Sequence, residues 1–193
     1  VAQHRARIRE QMGLGDEFVA LFMGGLWFEK GLPEILQGLS QTERDVRLVV
    51  VGHGDAERFT ELARRLQVAE RVSFVGHVTE PEAWYAMADC LIHAPVVEPF
   101  GLVMLEAAAC GLPLLATRAG VALDLIDEGV SGCFIAREPA DIAEKLDLLA
   151  GDPQLRASMS DQVHRRAQVF DWDRQAEQVE RVLLRVADQG AAP

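Results

Sequence analysis

The sequence predicts an α/β fold: a Rossmann-like, doubly wound parallel sheet of about six strands, finished by C-terminal helices. Three observations carry that prediction. Six short apolar runs recur over residues 19–136, helical patterns separate them, and glycine-containing or polar loops follow the first five. Short apolar runs bounded by turn residues mark strands buried on both faces, as a parallel sheet requires. Their alternation with helices gives a βαβ succession. A length of 193 residues with 49% apolar content suits one domain, residues 1–193, with a sizeable core.

In chain order, buried strands are expected at Val19 to Met23, Arg47 to Val51, Val72 to Val75, Cys90 to His93, Leu114 to Thr117 and Cys133 to Ala136. Helices fit between them at Leu32 to Leu39, Ala56 to Leu66, Pro81 to Ala88, Leu102 to Cys110 and Leu123 to Ile126. Pro99 drives Glu98 out of the helical region, and Gly111-Leu112-Pro113 supplies a C-cap and a stop to the helix that follows. Beyond residue 136 the pattern is helical. Pro139 and Pro153 suit first turns, Gly151 separates two helices, and Asp171 can cap a third, whose apolar positions are Trp172, Ala176, Val179, Leu183 and Val186. That stripe requires a hydrophobic partner on this domain or on an absent one. The Gly190-Ala191-Ala192-Pro193 tail is expected to fray.

Charge and composition exclude several classes. A net charge of -11 opposes broad attraction to nucleic acid or anionic lipid. Every apolar run breaks well before the ~18 residues of a membrane helix. Val1 to Glu10 carries His4, Arg5, Arg7 and Arg9 without an apolar core, so it reads as neither an intact start nor a signal peptide. The chain is expected to be cut from something longer. Cys90, Cys110 and Cys133 are odd in number and widely spaced, fit neither a zinc pattern nor a disulfide framework, and read as core thiols in a reducing compartment.

Ligands of open α/β sheets bind beyond the carboxyl ends of the strands, and the chemistry-bearing residues fall there. Gly24-Gly25 follows the first strand, with Lys30 just before the next helix, a pairing of close backbone approach and point charge that suits a diphosphate. Gly52-His53-Gly54 follows the second strand and lacks the third glycine of a dinucleotide fingerprint, which argues against a nicotinamide site. Gly76-His77-Val78 follows the third and offers backbone groups to a base. Glu98 and Glu106 are separated by seven residues, the first on a loop, the second on a helix among Leu105, Ala107, Ala108 and Ala109. A partly buried Glu106 would need a partner, either a ligand or a structural hydrogen bond. The amides of Phe100, Gly101 and Leu102 arrive bare at a helix start, where the dipole favours phosphate or sugar oxygens. His93, ending an apolar strand, reads as a neutral, hydrogen-bonded core imidazole, with a ligand contact as the open alternative. His4 and His164 carry no signal, and no metal-ligand cluster is evident.

With these residues in place, the chain resembles the C-terminal, donor-binding domain of the retaining glycosyltransferases of family 4, one half of a GT-B fold. The run from Glu98-Pro99-Phe100-Gly101 to Glu106-Ala107-Ala108-Ala109-Cys110-Gly111-Leu112-Pro113 is similar to the family's paired-glutamate signature. Glu29-Lys30-Gly31, Val51-Gly52-His53-Gly54, Phe74 to Val78, Asp89 to Ile92 and Phe170-Asp171-Trp172 add support. The resemblance implies transfer of a hexosyl unit from a nucleoside diphosphate sugar with retention, without cofactor or metal. It assigns Lys30 to the diphosphate, Glu106 to the ribose hydroxyls and Glu98 to the surroundings of the transferred sugar. Phe100, Gly101 and Leu102 would meet the sugar or distal phosphate, Gly76, His77 and Val78 would line the base, and Gly24 and Gly25 would lie beneath the phosphates.

Three positions depart from the family: Gly25 stands where an arginine is usual, Val121 replaces a glycine, and Leu123-Asp124 replaces Pro-Glu. Members acting on the lipopolysaccharide core can also lack that arginine and carry a histidine matching His93, so the resemblance leans toward a cell-envelope acceptor. The expected partners are the donor and an N-terminal acceptor domain, with no nucleic acid, in the cytoplasm or at the inner membrane face through the missing domain. This chain alone is expected to bind rather than turn over. The alternative is a catalytically silent nucleotide-sugar-binding or interaction module.

Overall fold

A single parallel sheet organises the chain, described by a computed structural model over residues 2–190. Its strands are β1 (Phe18–Met23), β2 (Val46–Val51), β3 (Val72–Gly76), β4 (Cys90–His93), β5 (Leu114–Ala116) and β6 (Gly132–Phe134), in the spatial order β3-β2-β1-β4-β5-β6. All five strand pairs are parallel. The α/β, doubly wound expectation is met strand for strand. The helices are α1 (Ala2–Gln11), α2 (Leu32–Leu39), α3 (Ala56–Arg65), α4 (Pro81–Met87), α5 (Leu102–Ala109), α6 (Ala122–Leu125), α7 (Pro139–Gly151), α8 (Pro153–Ala167) and α9 (Trp172–Gly190).

Alternation along β1 builds a core on each face of the sheet. Val19, Leu21 and Met23 join α4, α5 and α6 on one side, and Phe18, Ala20 and Phe22 join α2, α3 and α7 on the other. Pro139 and Pro153 occupy first-turn positions as read, and Pro33 does the same in α2. The Asp171 carboxylate accepts from the Asp173 and Arg174 amides, as a cap should. At the end of α5, Leu112 N–H bonds Ala107 O and Gly111 takes φ 74°, a left-handed C-cap that glycine allows.

The structure departs from the expected elements at β3 and at α1, and it leaves the trailing stripe without a partner. β3, at one edge of the sheet, is half-buried throughout, not buried. The trailing apolar stripe is uncovered among the described residues, with Trp172 80%, Val179 58%, Leu183 63% and Val186 61% exposed. Helix α1 escapes hydrophobic periodicity because Ile8 is its buried anchor and arginines do the rest. Arg5 donates to Met87 O, Ala88 O and Asp89 Oδ1 at 2.8–2.9 Å. Arg9, 7% exposed, donates to Gly15 O, Met87 O and Glu17 O and pairs with Asp89. The frayed-tail expectation for residues 190–193 lies largely outside the described residues. Cys90 and Cys133 are buried, Cys110 half-buried, and burial raises all three thiols, which suits core packing. No helix among the described residues is long and apolar enough to cross a membrane.

Arg9→Met should lower stability by about 3 kcal/mol in urea unfolding, since it strands buried carbonyls and Asp89. Arg7, whose pair with Glu80 at 2.7 Å is over half exposed, provides the contrast: Arg7→Met should cost under ~1 kcal/mol.

Candidate functional site

The chain leaves β1 toward β2 and β3, then returns to lay β4 on the opposite flank of β1. Helix α2, following β1, packs on one face of the sheet, and α5, following β4, packs on the other. Their loops therefore part at the carboxyl edge between β1 and β4, the switch point where a crevice opens. Lys30 comes from the first loop and Glu98 from the second.

These two side chains meet across the crevice, Lys30 Nζ donating to Glu98 Oε2 at 2.5 Å. Their side chains are 20% and 9% exposed. The backbones are joined as well, through Ala94 N–H to Lys30 O at 3.1 Å. Gly31 has φ 82° and an added Cβ would lie 2.3 Å from Ala94 O, so only glycine lets the two loops come this close. The Glu98 loop is tied to the next one by Val121 N–H to Phe100 O at 2.6 Å. Val121 thus has a structural place where the family usually carries glycine.

None of the Phe100, Gly101 and Leu102 amides donates a hydrogen bond within the described residues. They sit at the start of α5 with Gly101 as its N-cap, which makes them available to an anion or sugar oxygen. Gly24 is closed over Gly52, whose added Cβ would meet Gly24 O at 2.1 Å. His53 and His77, both exposed, stack with ring centroids 5.2 Å apart and planes within 5°. Gly76 O receives the Gly52 amide at 2.8 Å, and Val78 packs against the core. The sequence-read residues of the first four strand ends thus share one edge of the sheet, with Glu106 on the flank of α5.

Glu106 departs from expectation. It is exposed rather than partly buried, since Met104, Ala107 and Ala108 form the inward side of α5. It nonetheless has a partner: Tyr85 donates to Glu106 Oε2 at 2.7 Å. Burial and the Glu106 hydrogen bond push the Tyr85 phenol far above its usual range, so it stays a donor. Among the described residues, Glu106 Oε1 has no such bond. Tyr85 was not read from the sequence; its being the only tyrosine, on the helix preceding β4, was the available signal.

His93 also departs. It is 1% exposed, and both ring nitrogens are buried without a hydrogen-bond partner. Burial, with a contribution from Lys30, lowers its pKa to about 4 against an opposing pull from Glu98. The imidazole is neutral as expected, but not hydrogen-bonded. Gly25 has ordinary φ, and a Cβ there would touch only His53 O at 3.7 Å. Arg118, two residues beyond β5, lies over the Phe134 ring at 3.9 Å from its centroid.

This topology is the architecture of the GT-B glycosyltransferases. The Anabaena protein Alr3699/HepE, solved in complex with UDP and glucose, superposes with a TM-score of 0.89 at 26% identity, over 95% of this chain and 52% of that one. The chain belongs to the glycosyl transferases group 1, whose family model matches residues 4–166. It is 32% identical over 192 residues to a D-inositol 3-phosphate glycosyltransferase of Streptomyces bingchenggensis, covering 91% of this chain and 42% of that protein. It is also 35% identical over 169 residues to a GDP-mannose-dependent alpha-(1-6)-phosphatidylinositol monomannoside mannosyltransferase of Mycolicibacterium smegmatis, covering 80% and 44%. The chain thus spans less than half the length of these two relatives.

The buried imidazole makes stability pH-dependent. His93 protonates near its ordinary pKa of 6.5 when unfolded and near 4 when folded, so its contribution is complete above 6.5 and lost as pH falls toward 4. Urea unfolding should show about 3 kcal/mol of this loss, and His93→Phe should flatten that segment of the stability profile.

Proposed function

We propose that the chain is the C-terminal, donor-binding domain of a retaining glycosyltransferase of family 4, taking a hexosyl unit from a nucleoside diphosphate sugar to an acceptor held by an N-terminal domain. The observation that carries this reading is the Lys30–Glu98 pair spanning the switch point beside the free amides of Phe100, Gly101 and Leu102. A cation and a helix start together answer a diphosphate. Glu106, steadied by Tyr85, accepts from the ribose hydroxyls through its free oxygen. Gly76, His77 and Val78 border the base, and Gly24 and Gly25 run beneath the phosphates.

In the reaction the bond from the anomeric carbon to the diphosphate breaks, one to an acceptor oxygen forms, and the acceptor hydroxyl's proton passes to the leaving diphosphate or to solvent. Charge accumulates on the leaving diphosphate, and Lys30 with the loop amides neutralises it as preorganised electrostatics, without a metal in this reading. Lys30 must leave Glu98 to do so. Glu98 then faces the sugar, where it orients hydroxyls or stabilises positive character at the anomeric carbon.

The uncovered face of α9, with Trp172, Val179 and Leu183 over half exposed, is assigned to the N-terminal acceptor domain. The chain's coverage of 42–44% of its relatives leaves room for such a domain. The phosphatidylinositol mannoside named for one relative favours a cell-envelope acceptor and a site at the inner membrane face, reached through that domain. A second reading, a catalytically silent nucleotide-sugar-binding module, is favoured by Gly25. Donor hydrolysis measured against donor binding in the full-length protein separates the two.

Calorimetric titration should show UDP or GDP binding more tightly than the matching monophosphate, and Lys30→Ala should weaken diphosphate binding roughly tenfold or more. Equal affinities in the unmutated chain would overturn the site assignment. Glu106→Gln should weaken ribonucleotides more than 2′,3′-dideoxy analogues at unchanged melting temperature, because the amide keeps one acceptor oxygen. The open space beside Gly25 sets the last expectation: Gly25→Arg should tighten UDP or GDP by about fivefold, roughly 1 kcal/mol. Weaker binding at unchanged melting temperature would mean that the glycine itself shapes the site.

A further inference from the structure

Tyr85 and Glu106 join α4 to α5, and the two ends of their hydrogen bond differ in setting. Tyr85 is 3% exposed, in the core that α4 and α5 share, and its hydroxyl donates to Glu106 Oε2 at 2.7 Å. Glu106 stands on the solvent side of α5. Helix α4 is anchored at its carboxyl end by α1, since Arg5 and Arg9 both donate to Met87 O and Arg5 also donates to Ala88 O. The phenol is therefore a fixed point on a rigid element. The carboxylate is the part that would otherwise move, because an exposed glutamate samples many rotamers until something holds it.

A buried phenol needs one acceptor, and a backbone carbonyl would serve. Here it takes one oxygen of a carboxylate and leaves the other, Oε1, without a hydrogen bond among the described residues. No cation among the described residues pairs with Glu106 either. The helix that holds the phenol begins at Pro81, just after Gly76, His77 and Val78. The residues read as bordering the base and the donor that sets Glu106 thus lie on one continuous stretch of chain.

We propose that Tyr85 is a positioning residue that sets the sugar specificity of the nucleoside site: by holding Glu106 Oε2 it aims Oε1 at the ribose, whose cis hydroxyls share its two lone pairs, and so makes the site select ribonucleotides over deoxynucleotides. The inference rests on the donor-site reading of Glu106 and adds what gives that carboxylate its direction. A glutamate left free would offer either oxygen in several orientations, and a nucleotide would have to order it on binding, which offsets part of what the hydroxyls contribute. A phenyl ring fills the place of Tyr85 and strands no polar atom in the core, so Tyr85→Phe isolates the hydrogen bond.

Two measurements test it. Calorimetry compares UDP and GDP with their 2′,3′-dideoxy analogues, following whichever base binds, in the unmutated chain, Tyr85→Phe and Glu106→Gln. The ratio of ribonucleotide to dideoxynucleotide affinity should fall roughly two- to tenfold in Tyr85→Phe, while its ratio of diphosphate to monophosphate affinity stays that of the unmutated chain. Equal weakening of ribo and dideoxy ligands would mean a general structural role and would overturn the proposal. Tyr85 is the only tyrosine of the chain, so isotope-labelled tyrosine gives one phenolic Cζ signal by NMR, a readout that needs no variant to fold. That signal should shift on saturation with the ribonucleotide and move distinctly less with the dideoxy analogue; equal shifts with both would overturn the proposal. If Glu106→Gln lowers the ribo to dideoxy ratio and Tyr85→Phe does not, this inference alone fails. If Glu106→Gln leaves that ratio unchanged, or neither diphosphate binds, the donor-site reading of Glu106 fails and this one with it.

Discussion

Asp89 holds the two halves of the sheet together at the point where they meet. Its amide donates to Val19 O, its carboxylate accepts from Val19 N–H at 2.8 Å, and Arg5 and Arg9 neutralise it from α1. The direct ladder between β1 and β4 is short, registered at Ala20 with Cys90 and Leu21 with Leu91. Fixing the amino ends of these two strands fixes where their carboxyl ends deliver Gly24 and Pro95. The crevice at one edge therefore depends on an ion cluster at the other.

The crevice neutralises itself. Lys30 and Glu98 satisfy each other, so neither is buried alone, and any ligand that takes the lysine has to displace the carboxylate. A cation held this way is poised but not free, which lowers intrinsic affinity and makes recognition selective for groups able to compete with a carboxylate. In the proposed donor site a diphosphate would do so, being doubly charged and matched by the amides at the start of α5.

The sheet and its order of helices were legible because each strand is a local apolar run with a turn behind it. What remained hidden depends on partners distant in the chain. Residues 68 apart form the Lys30–Glu98 bond, and no spacing rule anticipates it. α1 was missed because arginine bonds to residues near 87–89 replace the apolar stripe that reveals most helices. Glu106 was read as partly buried from its alanine neighbours, yet a helix turns each residue about 100° from the last, so small buried neighbours do not bury it. The imidazole of His93 was rightly placed in the core, but its lack of hydrogen bonds could not be read from residue type.

The solvent-facing stripe of α9 also bears on cooperativity. Helix α9 meets the preceding Gln168–Phe170 turn and sends its valines and leucines outward, so little of its burial depends on the sheet. A helix of 19 residues without tertiary support is marginal in water. The chain is therefore expected to unfold as two thermodynamic units, residues through Phe170 together and the last helix gradually beneath that transition, unless another surface covers it.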